Sequence, residues 1–108
     1  MTARSEFLAA NRGQRFPTPG FVLLVRPRGD DDAALGMGFT VSKKVGNAVT
    51  RNRMKRRLRA LARAALPAHG IAGADHVFIG RAGGNAIRFA DLAAQLDSAL
   101  ARAAKKLA

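Results

Sequence analysis

The chain has 108 residues, no cysteine and a formal net charge of +12, with a sequence pI near 11.9. This length fits a single domain with one hydrophobic core. The missing cysteine excludes a disulfide framework and a thiolate metal site. No apolar run approaches the roughly 18 residues that span a bilayer, and the first residues lack the apolar core of a signal peptide. We therefore expect a soluble cytoplasmic protein.

The first part of the chain predicts one helix and two strands. Ser5–Arg12 begins with a capping serine and ends before a glycine, as a short helix does. Phe21–Arg26 is a continuous apolar run stopped by Pro27 and predicts a buried strand. After an acidic turn at Asp30–Asp32, Leu35–Ser42 predicts a second strand. The short turn favours antiparallel pairing of these two strands.

The second part predicts a helix, a strand and a helix. The first of these helices begins at Asn47 or Ala48 and runs to about Leu66, where Pro67 and a later glycine end it. Residues 75–81 predict a strand, and Phe89 to about Leu107 has the apolar spacing of an amphipathic helix. This order indicates an α+β fold, a mixed α/β sandwich.

Positive charge is concentrated in one segment. Ser42–Arg59 contains eight lysines and arginines in eighteen positions, and no acid occurs from Ala33 to Ala74. A solvated helix face normally mixes both signs of charge, so a polyanion is the expected partner. Arginine outnumbers lysine by 14 to 5, and its planar donor fork suits phosphate and stacks on bases. Nucleic acid is therefore the first candidate and an anionic membrane surface the second.

The spacing of the basic helix gives it two faces. Met54, Leu58, Leu61 and Ala65 fall within about 40° of one another on a helical wheel and predict a core-facing stripe. The opposite side takes Asn52, Arg56, Arg59 and Arg63, and Arg53 and Lys55 flank it. Arg51 and Arg57 lie nearer the apolar border.

Three other interpretations of this helix are weaker. A solvated face without a partner would need acids to relieve its charge, and none lies within four residues along the helix. A membrane-surface or calmodulin-binding helix would need an apolar stripe free of the core. A DNA-binding helix-turn-helix would need two consecutive short helices, whereas strands precede and follow this one. We expect neither a membrane nor DNA as partner.

The residues do not support catalysis by the protein alone. A metal-dependent nuclease needs clustered carboxylates, but the chain has seven acids, three of them in one predicted turn. His69 and His76 are expected to be solvated or packed rather than metal ligands. We predict no catalytic residue and no protein-held metal.

The segment SKKVGNAVTRNRMKRRLR resembles the signature of the protein subunit of bacterial ribonuclease P. Its most specific element is Arg51-Asn52-Arg53 followed by Lys55-Arg56. The resemblance implies an α-β-β-β-α-β-α fold like one domain of a ribosomal protein, with the basic helix in a left-handed βαβ crossover. It also implies a short strand near Gln14 to Pro17.

The resemblance further implies a function for the whole chain, as a single RNA-binding domain. The family assists a catalytic RNA that removes the 5′ leader of precursor tRNA; the RNA and its bound Mg²⁺ perform the hydrolysis. The implied partners are this RNA and precursor tRNA. The RNA-binding candidates are Ser42, Lys43, Lys44, Asn47, Arg51, Asn52, Arg53, Lys55, Arg56, Arg57 and Arg59, to which the helical wheel adds Arg63.

A second implied site is a cleft on the sheet that holds the leader. Its candidates are Phe7, Phe21, Val22, Leu24 and Arg81, and strand register decides which of the strand residues face it. The family often has further aromatics here, but this chain has neither tyrosine nor tryptophan. The alternative function is a ribosomal or ribosome-assembly RNA-binding protein without a nuclease role. The Arg-Asn-Arg signature together with the early helix containing Phe7 argues against this alternative.

Overall fold

The computed structural model describes residues 14–27 and 34–107. In this part of the chain, two helices cover one face of a four-stranded sheet. The elements are β1 (Gln14–Pro17), β2 (Phe21–Pro27), β3 (Gly36–Val41), α1 (Ala48–His69), β4 (Ala74–Gly80) and α2 (Phe89–Leu107), with short 3₁₀ turns at Lys43–Val45 and Gly84–Ala86. The predicted helix Ser5–Arg12 and the acidic turn lie outside the described residues. The α+β class and the short first strand are confirmed.

The strand order is β1-β2-β4-β3, which corrects one predicted pairing. β2 pairs antiparallel with β4, and β3 pairs parallel with the other side of β4, so β4 separates the two strands that were expected to pair. The reason is burial: β2 is apolar on both faces and needs a neighbour on each side, whereas the glycine-rich β3 lies at an edge. The chain from β3 through α1 to β4 is a βαβ crossover, whose left hand stays a prediction.

The core lies between the sheet and the two helices. Leu23 and Phe78 occupy paired positions on β2 and β4, and both are fully buried. From the helices, the predicted stripe of Met54, Leu58 and Leu61 is at most 1% exposed. Leu92, Leu96 and Leu100 of α2 complete this layer. The period of the basic helix therefore fixes which of its sides is buried.

The opposite face of the sheet has a smaller apolar cluster. Val22 and Leu24 of β2 pack there with Val77, and partly buried Ile79 packs against them. We call these four residues the sheet-face cluster. It differs from the core in being on the side of the sheet away from α1 and α2.

Helix α1 extends one turn beyond its predicted end. Pro67 lies inside the helix, and Gly70 forms its C-cap by donating its backbone N–H to the carbonyl of Leu66 at 2.9 Å. Proline has the φ of a helix, and Pro67 lies in the last turn, where the loss of its N–H hydrogen bond does not stop the helix before His69. Within the described residues, no helix is long and apolar enough to cross a membrane.

Candidate RNA-binding surface

The segment between β3 and α1 turns sharply into the basic helix. Ser42, Lys43 and Lys44 are exposed, and the two lysines lie in the 3₁₀ turn. Gly46 has a φ of 151° and a ψ of −160°, a conformation that is essentially restricted to glycine. Asn47 then caps α1, because its side-chain oxygen accepts a hydrogen bond from the Thr50 backbone N–H at 2.9 Å. The turn thus places two exposed lysines beside the N-terminus of α1, where backbone N–H groups favour phosphate.

The outer side of α1 is a continuous basic surface. Asn52, Arg53, Arg56, Arg59 and Arg63 are all exposed, and we call them the basic face. Lys55 is half-buried beside them. In the described part of the chain, no lysine or arginine of this helix forms an ion pair; the ion pairs there join Arg26 to Asp75 and Arg88 to Asp91. The charge of this helix is therefore available to an external anion.

A shallow groove follows this surface. It is lined by Val49, Asn52, Lys55, Arg56 and Arg59. Three cations and an amide surround an exposed valine side chain, so the groove offers donors for phosphate and a small apolar contact. This combination suits a nucleic-acid backbone.

One member of the basic face is held by an aromatic stack. The guanidinium carbon of Arg59 lies 5.8 Å from the centroid of the Phe39 ring, within the range of a cation–π contact. Phe39 in turn stacks on Phe78, with ring centroids 5.3 Å apart. Arg59 therefore lies over β3, and its contact with Phe39 connects it to the core residue Phe78.

The two border arginines are half-buried, as the helical wheel predicts. The guanidinium of Arg57 donates one hydrogen bond to the Gly84 carbonyl at 3.1 Å and another to the Ile87 carbonyl. Burial lowers the pKa of the Arg57 guanidinium from its ordinary value, and the charge of Arg53 adds to the effect. The Nε atom of Arg51 is buried without a hydrogen-bond partner. These two side chains differ in environment from the exposed basic face.

The strand residues predicted for the leader cleft do not share one face. Phe21 is fully buried on the helix side, where its ring lies 5.9 Å from that of Phe78. Val22 and Leu24 belong to the sheet-face cluster on the other side. Arg81 is exposed just after β4 and donates a hydrogen bond to the Thr18 carbonyl at 3.1 Å. Phe7 lies outside the described residues.

Among the described residues, neither histidine belongs to a group of metal-ligating side chains. His76 is fully buried; its Nε2 accepts the Ile71 backbone N–H at 3.0 Å, and its Nδ1 lies 3.2 Å from the Gly36 carbonyl. His69 is exposed at the end of α1. In residues 14–27 and 34–107, no group of three His, Cys, Asp or Glu could hold a metal ion.

Comparison with known proteins identifies the family of this chain. The family model for ribonuclease P matches residues 1–104. This chain belongs to the ribonuclease P protein family. A ribonuclease P protein component of Erythrobacter litoralis is 52% identical over 100 residues, covering 93% of this chain and 81% of the relative. Another, of Gluconacetobacter diazotrophicus, is 48% identical over 101 residues, covering 93% of this chain and 86% of the relative.

Solved structures of the family share the fold. The RNase P protein of Thermotoga maritima aligns with a TM-score of 0.77 at 28% identity and covers 94% of both chains. The Staphylococcus aureus protein aligns with a TM-score of 0.77 at 26% identity, covering 95% of this chain and 93% of the other. Family membership makes this chain the accessory protein subunit of the ribonuclease P ribonucleoprotein, a tRNA 5′-maturing endoribonuclease whose catalysis belongs to its RNA.

Sequence reasoning missed two residues that shape the surface. Phe39 supports Arg59, but a lone aromatic in an edge strand gives no signal for this role. Asn85 follows two glycines, a pattern typical of a turn, whereas its amide nitrogen donates to the Thr50 carbonyl at 2.9 Å. Both roles depend on contacts between elements far apart in the chain, which no local pattern reveals.

Proposed function

We propose that this subunit docks on the catalytic RNA of ribonuclease P through the basic face and the turn before α1. The observation that supports this most directly is a helix with one apolar side and one basic side, without ion pairs among the described residues. The proposed RNA contacts are Ser42, Lys43, Lys44, Asn47, Arg51, Asn52, Arg53, Lys55, Arg56, Arg59 and Arg63.

The physical basis of this docking is phosphate neutralisation. Each lysine or arginine that meets a phosphate releases condensed counterions, so affinity falls steeply as salt rises. Asn52 lies within the groove beside Arg56 and adds an uncharged donor and acceptor. The arginines contribute planar forks that match phosphate geometry better than a lysine ammonium does.

The same proposal assigns Mg²⁺ mainly to the RNA partner. A hydrolytic Mg²⁺ site is usually built from carboxylates and phosphates. The described residues offer no cluster of acids for it, and the acid-free basic face repels a cation. The protein's own contribution is then to bind and orient RNA, at a site of action in the bacterial cytoplasm.

We also propose that precursor tRNA is held through its 5′ leader on the sheet face opposite the helices. Val22 and Leu24 lie on that face and Arg81 at its edge, and Phe7 joins them by family resemblance. Apolar side chains suit unstacked bases, and an arginine suits the leader phosphates. Phe21 is left out because its side chain lies on the helix side of the sheet, whereas Val22 and Leu24, although also buried, lie on the other side.

Charge reversal on the basic face tests the docking. Arg56→Glu should weaken binding to ribonuclease P RNA by at least about tenfold at low salt, because it removes one phosphate contact and adds repulsion. Correct 5′ cleavage of precursor tRNA in moderate Mg²⁺ should fall in parallel and recover at higher concentrations of the variant.

The matched control is Lys105→Glu. It makes the same change in net charge in the last turn of α2, outside the basic face. We expect it to leave RNA affinity within about twofold of wild type. Equal losses for the two variants would show that binding depends on net charge alone and would refute docking through α1.

A further inference from the structure

The connection between β4 and α2, residues 81–88, is fastened to α1 by two side chains. From α1, Arg57 donates hydrogen bonds to the Gly84 and Ile87 carbonyls, the first at 3.1 Å. From the connection, Asn85 donates to the Thr50 carbonyl at 2.9 Å. A Cβ at Gly84 would lie 2.6 Å from the Gly20 carbonyl oxygen, so the connection is also pressed against the sheet. Helix α1 and the chain entering β2 therefore fix its position.

Arg57 is poorly placed to contact RNA itself. Its guanidinium already donates to two carbonyls and is half-buried. Desolvation lowers its pKa, whereas Arg56, the next residue, is exposed in the groove of the basic face. Two of its five N–H donors are already used, and the half-buried side chain leaves the other three less accessible to a phosphate than those of Arg56. Its role in RNA binding must then differ from that of its neighbour.

The connection has the features of a phosphate-contacting segment. Arg81, which is proposed above for the leader, lies at its β4 end, and the exposed Arg88, which pairs with Asp91 at 3.2 Å, lies at its α2 end. The residues between them are alanine, glycine, asparagine and isoleucine. Gly83 has a φ of 86°, and nothing lies within 4 Å of where its Cβ would be. A nucleic-acid backbone can approach such an open chain closely. Through Asn85 and Thr50, the connection also adjoins the first turn of α1, next to the Arg51-Asn52-Arg53 signature.

We propose that the β4–α2 connection is a second RNA-contacting element, and that Arg57 and Asn85 are positioning residues that hold it beside the basic face. This inference rests on the proposed function, because it extends the same RNA-binding surface. Arg57 thus serves RNA binding through a carbonyl-to-guanidinium bridge and not through a phosphate contact. Its partner is the same catalytic RNA.

Conservative and neutral substitutions separate the two roles. Lysine in place of arginine keeps the charge of a phosphate contact, whereas a lysine ammonium cannot reproduce the planar bridge to two carbonyls. We expect Arg57→Lys and Arg57→Met to weaken binding to ribonuclease P RNA to a similar extent, by about two- to tenfold. Asn85→Ala, which changes no charge, should produce a loss of the same size. The double variant Arg57→Met/Asn85→Ala should bind no more weakly than Arg57→Met, because either change already releases the connection.

Arg56 supplies the matched control on the same helix. Arg56→Lys keeps the positive charge and should bind RNA more tightly than Arg56→Met. If Arg57→Lys likewise binds clearly more tightly than Arg57→Met, Arg57 is a direct phosphate ligand and the inference is wrong. It is equally wrong if Asn85→Ala binds like wild type. An unaffected Arg56→Met would instead refute docking through the basic face, so the two failures are distinguishable.

Hydrogen exchange provides a readout that does not involve RNA. In wild type the backbone N–H groups of Gly84, Ala86 and Ile87 are hydrogen-bonded within the connection. They should exchange faster in Arg57→Met and in Asn85→Ala, with the amides of α1 unchanged. Loss of protection throughout the molecule in Arg57→Met would mean global destabilisation, in which case Asn85→Ala and Arg57→Lys alone decide the binding result. Unchanged protection of the connection in Asn85→Ala would overturn the inference.

Discussion

At the scale of single residues, His76 shows how a polar side chain is accommodated in the core. It accepts the Ile71 N–H at Nε2, which requires a neutral ring with its proton on Nδ1, facing the Gly36 carbonyl. The ring thereby joins β4 to the chain entering β3 and to the turn after α1. The role of the buried His76 is therefore structural, whereas His69 is exposed at the end of α1.

We predict that His76→Phe lowers the free energy of unfolding by about 2–4 kcal/mol, because it deprives a buried amide and a carbonyl of this partner. Denaturant unfolding measures the change. His69→Phe is the matched control and should alter stability by less than about 0.5 kcal/mol. A His76→Phe protein as stable as wild type would mean that these hydrogen bonds contribute nothing net.

The sequence predicts which side of α1 is buried, but it does not predict which face of the sheet each residue of β2 occupies. The core side of α1 was predictable because a helix with apolar residues at positions 54, 58, 61 and 65 has only one way to bury them. Phe21 and Val22 could not be assigned to faces in the same way, since the run from Phe21 to Val25 is apolar throughout and has no alternation. The pairing of β2 with β4 in the structure shows that Phe21 lies on the helix side of the sheet and Val22 on the other side.

At the scale of elements, the N-terminus of α1 combines a stabilising cap with a proposed RNA contact. Asn47 accepts a hydrogen bond from Thr50, and the first turn of the helix contains no acid. An aspartate would cap equally well and would interact favourably with the helix dipole. Its negative charge would, however, lie beside the lysines of the preceding turn. Stability and RNA binding should therefore respond in opposite directions.

We predict that Asn47→Asp leaves the melting temperature equal to or slightly above that of wild type but weakens RNA binding by about three- to tenfold. Asn47→Ser, a neutral cap, should change stability and binding little, and Asn47→Ala should cost about 1 kcal/mol of stability. Thermal unfolding and RNA titration at one salt concentration measure both effects. Undiminished RNA affinity in Asn47→Asp would remove this end of the helix from the proposed surface.

The predicted pairing of β2 with β3 was wrong because the turn between two strands does not by itself decide which strands pair. A short acidic turn between two predicted strands favours a hairpin, but strand partners are chosen by burial across the whole sheet. β2 is buried on both faces and takes β1 and β4 as neighbours, while β3 is left at the edge. The residues near the turn give no local signal that β4, far along the chain, pairs with both β2 and β3.

At the scale of the whole molecule, the sheet separates two proposed RNA surfaces. The basic face and the β4–α2 connection lie with the helices, and the sheet-face cluster lies on the other side. A thin α/β sandwich can thus contact the catalytic RNA and the leader of precursor tRNA at once. Changes on one side should then leave the function of the other side intact.

We therefore predict that Phe7→Ala reduces the preference of the assembled holoenzyme for precursor over mature tRNA by about fivefold or more, the loss expected for one base stack. Affinity of the protein for the catalytic RNA should stay within about twofold of wild type, because the basic face is unaltered. Paired titrations with the two tRNAs measure the preference. Phe89→Ala, a change at a half-exposed phenylalanine at the start of α2, is the matched control and should preserve it. Since only the precursor has a leader, equal losses for both tRNAs would mean that Phe7 supports the fold and does not bind the leader.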